Sequence, residues 1–365
     1  MRSTTPVLTS IVLVIWQFAV LNLSCSAQND GNASPGTLAM DCPVSDGSNI
    51  GIIVEVTDAS GRPVTGLEAA DFKIFDNKRP QKILSFRAVD GAHPSAVSPT
   101  VEIIIDAVNS DALSVARERD GVSAFLKENS GKLDYPTSIW ILENAGLTRI
   151  AGPLQESMAM LTALNGAQPR LRVINRSAGT WGDVERTSQA TKLIKEMLSP
   201  ESRTPGRKLV LFLSPGWPML FNYEADQRSW IFDDIIKISN GLRESCISLY
   251  TLAPSNFNTL QPYSSGGNAS AYDNFLKGVT KTADAQYPDL SLQVLSEHSG
   301  GQVIIGGNDI KAEIDAAWRG ASGWYNLVFE RATGGRATEY HAIRVIIDKP
   351  RVKVHTTAGY YVKGP

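Results

Sequence analysis

Five short runs in the middle of the chain are apolar almost without interruption: VEIIID (101–106), TSIWILE (137–143), KLVLFLS (208–214), CISLYTL (246–252) and GQVIIGG (301–307). Strands that alternate apolar and polar residues have one wet face, whereas continuous Val/Ile/Leu runs require burial on both faces. Between the runs lie segments with helical spacing, among them ALSVARERDGVSAFLKEN (112–129), SQATKLIKEML (188–198), IFDDIIKISNGLRE (231–244) and NDIKAEIDAAW (308–318). Strand and helix in alternation predict right-handed crossovers and a doubly wound, mainly parallel α/β sheet over residues 98–320. Residues 254–288 are too long and too polar for a simple connection and read as an insertion in it.

The flanks have a different rhythm. IIVEVT (52–57), followed by the turn-rich DASGRP, and FKIFDNKRPQKILSF (72–86) with a turn at Asp76-Asn77-Lys78, give a short antiparallel N-terminal β segment over 49–88. WYNLVFE, EYHAIRVIID and RVKVHTTAGYYV give a C-terminal one over 323–363. Each is marginal alone, so the two are expected to pair into one β module. Arg344, Arg351, Lys353 and His355 fall on the C-terminal strands and suggest one basic side of a ribbon, or a solvated sheet face.

At the amino end, Arg2 precedes an apolar stretch from Val7 to Leu23 that runs into Cys25-Ser26-Ala27, so residues 1–27 read as a signal peptide and 28–48 as a flexible lead-in. The expectation is an exported protein of the periplasm, cell envelope or extracellular space, with no membrane span after leader cleavage. An uncleaved anchor and lipid attachment at Cys25 are the alternatives. Cleavage leaves Cys42 and Cys246, which are compatible with a disulfide or with Cys246 as a small core residue. With 35 Lys plus Arg against 37 Asp plus Glu, no electrostatic footprint of a nucleic-acid partner is present.

Ligands of open α/β sheets sit outside the carboxyl ends of the strands. The residues to inspect there are Asp106, Asn109, Ser110 and Asp111 after the first run and Ser214 after the third. Asn109 and Ser110 also suit the start of the following helix, with Asp111 in its first turn. Ser214 lacks a G-x-S-x-G elbow, and the four histidines form no zinc spacing.

The succession of an apolar strand ending in Asp106, a helix, KLVLFLSPGWP and LSEHSGGQVIIGGNDIKAEI resembles von Willebrand factor type A (VWFA) domains. With VTDASGRPVTGLEAADFKIFDNKRPQKILSF before it and RVKVHTTAGYYV after it, the chain from about 50 to 362 is similar to VWFA-related exported proteins typical of acidobacteria. The resemblance implies a domain that recognises protein or matrix partners, often through Mg²⁺ or Ca²⁺. In the family that ion is held by an Asp-x-Ser-x-Ser loop, a Thr of a second loop and a later Asp. Asp106 matches the Asp, Ser110 the last Ser, and Thr180 in SAGTWGDVERT the Thr; Asp111 or Asp183 would be substitutes. Val108 stands at the first Ser and Pro215 at the later acid, so two hard oxygen ligands are missing and the adhesion site reads as degenerate. The expected function is therefore non-enzymatic, adhesion-type binding of a protein or polysaccharide partner around Asp106, Asn109, Ser110, Asp111, Thr180 and Ser214. A secreted hydrolase using Ser214 and a purely structural envelope protein are the alternatives.

Overall fold

Every residue of KLVLFL is buried, and so is every residue of ISLYTL. Their environment explains this: both strands lie inside a sheet that is covered on each face. The computed structural model describes residues 42–43, 45, 48–167, 179–199, 205–217, 228–252, 274–304, 309–332 and 336–363. The predicted leader, Cys25 and most of the lead-in lie outside these residues, as do positions 254–273 of the predicted insertion.

In chain order the strands are β1 (Asn49–Thr57), β2 (Phe72–Asp76), β3 (Arg79–Gln81), β4 (Ile83–Val89), β5 (Thr100–Asp106), β6 (Lys132–Glu143), β7 (Gly146–Glu156), β8 (Lys208–Leu213), β9 (Ile247–Leu252), β10 (Gln302–Ile304), β11 (Trp324–Glu330), β12 (Tyr340–Ile347), β13 (Lys353–Thr356) and β14 (Gly359–Tyr361). The α-helices are α1 (Ala112–Glu128), α2 (Ser157–Gly166), α3 (Gly179–Met197), α4 (Arg228–Glu244), α5 (Leu292–His298) and α6 (Ile310–Arg319). No helix among the described residues is long and apolar enough to cross a membrane.

Six strands form the central sheet in the order β10-β9-β8-β5-β6-β7. All pairings are parallel except β6 with β7, a hairpin that adds an antiparallel edge strand. Ile103 sits opposite Ile139 on one side and Leu211 on the other. Strand side chains alternate between faces. Ile104, Val210, Phe212 and Leu249 therefore pack with Leu193 and Ile194 of α3 and Ile235 and Ile238 of α4, while Ile103, Ile105, Leu209 and Leu211 pack with Val122 and Phe125 of α1, Leu161 of α2 and Ile314 of α6. The architecture is α/β, with helices on both faces of a mainly parallel sheet.

The chain's two flanks form a β sandwich of two four-stranded sheets, β13-β1-β11-β4 and β14-β12-β2-β3. β1 from the N-terminal side pairs with β11 and β13 from the C-terminal side, and β2 pairs with β12. Val54, Val56, Phe72, Ile74, Leu327, Phe329 and Tyr360 fill the space between the sheets. Asn77 and Lys78, at φ 47° and 68°, make the two-residue turn between β2 and β3, whose twist matches that of the strands. The suggested basic ribbon does not form. Arg344 lies on β12, Lys353 and His355 on β13, and these strands belong to different sheets because the chain reverses at Arg351.

Cys42 and Cys246 form a disulfide with a Cα–Cα distance of 5.8 Å, so Cys246 is not a free core thiol. It ties the segment preceding β1 to the turn between α4 and β9.

The end of the predicted insertion reaches the core: residues 280–284 are exposed, whereas Ala285, Tyr287 and Pro288 are buried. Tyr287–Leu290 is a buried 3₁₀ turn, and Asp289 within it accepts a hydrogen bond from Gln286 N at 2.8 Å. Burial, opposed by that bond and reinforced by Asp284, pushes the Asp289 carboxyl up to about 7. A raised carboxyl pKa means the folded state prefers the proton. The associated stability is complete below the ordinary value near 3.8 and is lost as pH rises through about 7. Asp289→Asn keeps the acceptor without the charge. Urea unfolding of parent and variant should diverge by up to about 3 kcal/mol between pH ~5 and ~8, with the variant more stable at the alkaline end. Parallel pH profiles would refute the assignment.

Candidate functional site

The carboxyl ends of β5 and β8 meet at Asp106, which is fully buried. The turn after β5 folds back on it. Asp106 Oδ1 accepts from Val108 N at 3.1 Å and Asn109 N at 3.0 Å, and Oδ2 accepts from Asn109 Nδ2 at 2.9 Å. From the neighbouring strand, Ser214 Oγ donates to Oδ2 at 2.7 Å and Trp217 Nε1 does so at 3.3 Å. Burial raises the pKa of Asp106, while the Asn109 and Ser214 hydrogen bonds pull it back.

Trp217 is the residue that the sequence reading missed. Its side chain is wholly buried, edge-on to Phe212 at 5.8 Å between ring centroids. Its backbone N–H donates to Gln293 Oε1 at 3.2 Å, and Gln293 Nε2 returns a bond to its carbonyl at 3.3 Å. Gly216 makes this chain path available: φ is 94°, and a Cβ there would meet the Gln293 carboxamide at 3.1 Å. The Gly216 N–H also donates to Ser214 Oγ at 3.2 Å. Neighbouring strand ends and one tight turn thus converge on a single carboxylate, and Gln293 at the start of α5 holds that turn in place.

The other predicted site residues take different roles. Ser110 Oγ donates to Glu118 Oε1 at 2.9 Å, nearly two turns into α1, and not to Asp106's carboxylate. Glu118 is itself fully buried; burial pushes its pKa well above the ordinary carboxylate value, the Ser110 bond opposes this, and Asp106 and Asp111 add to it. Asp111, not Asn109 or Ser110, caps α1, accepting from Ser114 N at 2.7 Å. Asn109 instead serves Asp106 through both backbone and side chain. Thr180 and Asp183 lie in helix α3 and not in a loop, and their side chains fall outside the described residues.

These residues do not fit a hard divalent cation. A carboxylate offers about four lone-pair positions, and five donors already converge on those of Asp106. The Ser110 hydroxyl is committed to Glu118 and not to Asp106's carboxylate. Nor can Asp106 or Ser214 touch a partner directly, since neither has exposed surface. Among the described residues the rim exposes Asp111 and, beside it, two large apolar side chains: Leu113 in the first turn of α1 is 61% exposed, and Trp230 in the first turn of α4 is 43% exposed. Trp230 also packs edge-on to Tyr287 at 5.4 Å.

No family model matches the sequence, and no match is found among curated proteins. Among solved structures the chain is similar to proximal thread matrix protein 1 of the mussel byssus, at 8% identity over 73% of this chain and 50% of that one, with a TM-score of 0.36. It is also similar to the pilus adhesin SpaC of Lactobacillus rhamnosus GG (9% identity, 84% of this chain, 47% of that one, TM-score 0.34) and to a von Willebrand factor type A protein of Catenulispora acidiphila (10%, 89%, 75%, 0.32). The chain spans about half the length of the first two. At TM-scores this low, the α/β architecture described above rests on the strand order, register and core of this chain itself.

Proposed function

We propose that the chain is an exported, non-enzymatic binding protein whose α/β domain recognises a protein partner over the carboxyl ends of its parallel strands, in the manner of VWFA domains but without a metal ion. The observation that carries this reading is the rim itself. A buried hydrogen-bonded network on Asp106 fixes the turns after β5 and β8, and Leu113 and Trp230 stand exposed beside it on the helices that follow those two strands. Exposed aromatic and aliphatic anchors on a rigid support are what protein interfaces use. Sugars would call for more aromatic surface and open polar groups, so the observations favour a protein over a polysaccharide.

Export is supported by the leader pattern and by the Cys42–Cys246 bridge, a bond that persists in oxidising compartments. A hydrolase reading finds no support at Ser214, whose hydroxyl donates to a carboxylate in a fully buried position.

The test is affinity capture of partners by the purified protein, with and without EDTA, alongside Leu113→Glu and Trp230→Glu variants. Binding should survive EDTA undiminished and fall at least about tenfold in each variant, since charge is placed at a desolvated contact. Loss of binding in EDTA would overturn metal independence. Full binding by both variants would overturn the placement of the surface.

A further inference from the structure

At the opposite end of α4, on the seam between the α/β layer and the sandwich, lies a cavity of about 140 Å³ bordered by Arg243, Arg331, Lys363, Glu244, Ser45 and Tyr360. Among the described residues three cations face one acid there. Glu244 is already shared, its Oε1 accepting from Arg243 Nη2 at 3.1 Å and its Oε2 from Lys363 Nζ at 2.8 Å. Arg243 is 7% exposed and held in place by Ser45 Oγ and, at 3.5 Å, by Gly51 O, while its Nε has no hydrogen-bond partner among the described residues. Its guanidinium lies 5.9 Å from the Tyr360 ring centroid. The Tyr360 hydroxyl is turned the other way, donating to Asp76 at 2.7 Å, so that acid does not line the cavity.

We infer that this cavity is a site for a tetrahedral oxyanion, phosphate or sulfate, free or as an ester. Among the described residues, one Glu against two guanidiniums and an ammonium leaves a local positive charge that suits an anionic ligand, and guanidinium forks match tetrahedral oxyanions with paired N–H donors. Desolvation disfavours the buried Arg243 cation, and an anion beside it offsets that cost. A larger groove of about 500 Å³ opens on the far side of Glu244 and Lys363, lined by Leu198, Ile236, Ile238, Lys195 and Lys237. It gives the remainder of an esterified ligand a place to lie. The site is remote from the Asp106 rim and independent of the proposal made for it.

The test is calorimetry and thermal unfolding of the full chain with inorganic phosphate and with sulfate, at constant ionic strength made up with chloride. Saturable heat and a saturable rise in Tm are expected. Arg331→Gln and Lys363→Gln, which alter an accessible guanidinium and an exposed lysine, should each weaken binding about tenfold while leaving the anion-free Tm in place. Glucose 6-phosphate binding more tightly than phosphate would identify the source as an ester reaching the groove; the reverse order would identify the free ion. Absence of saturable binding by the parent, or equal affinity in Arg331→Gln and Lys363→Gln, would overturn the inference.

Discussion

Arg207→Ala should cost 3–5 kcal/mol of unfolding free energy, by the usual penalty for removing one partner of a buried ion pair, estimated at about that range. Arg207 and Glu55 are both buried, and the guanidinium Nη2 bonds the Glu55 carboxylate. Nη1 donates to Gly320 O at 2.7 Å, and the plane lies 4.9 Å from the Trp324 ring centroid. Tyr250 OH donates to the same Glu55 oxygen at 2.5 Å. Glu55 belongs to β1 of the sandwich, whereas Tyr250 belongs to β9 of the central sheet and Arg207 immediately precedes β8, so the cluster fastens one layer to the other. Gly320 permits the close approach, because a Cβ there would meet Tyr250 Oη at 2.7 Å and Glu55 Oε2 at 3.0 Å. Truncating Arg207 leaves an uncompensated carboxylate in the seam. The check is urea denaturation followed by both far-UV signal and tryptophan fluorescence. The variant should show a lower midpoint, and the double variant Glu55→Leu, Arg207→Met should recover most of the loss, because an apolar pair of similar volume carries no desolvation cost. A loss under ~1 kcal/mol in Arg207→Ala, no more than a surface pair is worth, would refute the buried-pair account.

How the sequence announces such features differs by range. The runs at 101–106, 208–214 and 246–252 are legible as β5, β8 and β9 because burial on both faces forces unbroken apolar composition. β7 is not legible: GLTRIAGPLQE carries two Gly, a Pro and little apolar alternation, and it is tolerated because an edge strand needs pairing on one side only. Helix α2 (SMAMLTALNG) is too short to show a clear period and is helical because its apolar side packs on the sheet. Asp106 could be found from the rule that ligand-side residues follow buried strands, yet its role could not. The groups that seal it, Ser214, Trp217 and Gln293, lie 108, 111 and 187 positions away, and only the folded strand order brings them together. Arg207 gives still less warning, since an isolated Arg before a strand looks like a solvated turn residue until its partner, 152 positions earlier, is seen.

Trp217→Ala should be nearly as damaging as loss of Arg207, for a different reason. The ring is fully buried against Phe212, so its removal combines lost transfer free energy with a cavity that close-packed neighbours cannot fill, about 3–5 kcal/mol for a large aromatic. It also deprives Asp106 of one donor, but Asn109, Ser214 and the backbone amides remain. The hydrogen-bond part of the loss should therefore be small, about 1 kcal/mol, and separable. Trp217→Phe isolates it partly: the aromatic volume is mostly retained, the N–H is lost, and an intermediate loss of about 1–2 kcal/mol is expected. If the two variants are equally destabilised, the Asp106 bond and not the packing dominates, and the rim depends on that carboxylate's solvation. If the phenylalanine variant loses only about 1–2 kcal/mol while the alanine variant loses about 3–5, Trp217 acts chiefly as a packed plug that closes the turn after β8 over Asp106. The second outcome is the one the geometry supports, because the Trp217–Asp106 distance of 3.3 Å is the longest of the five bonds to that carboxylate.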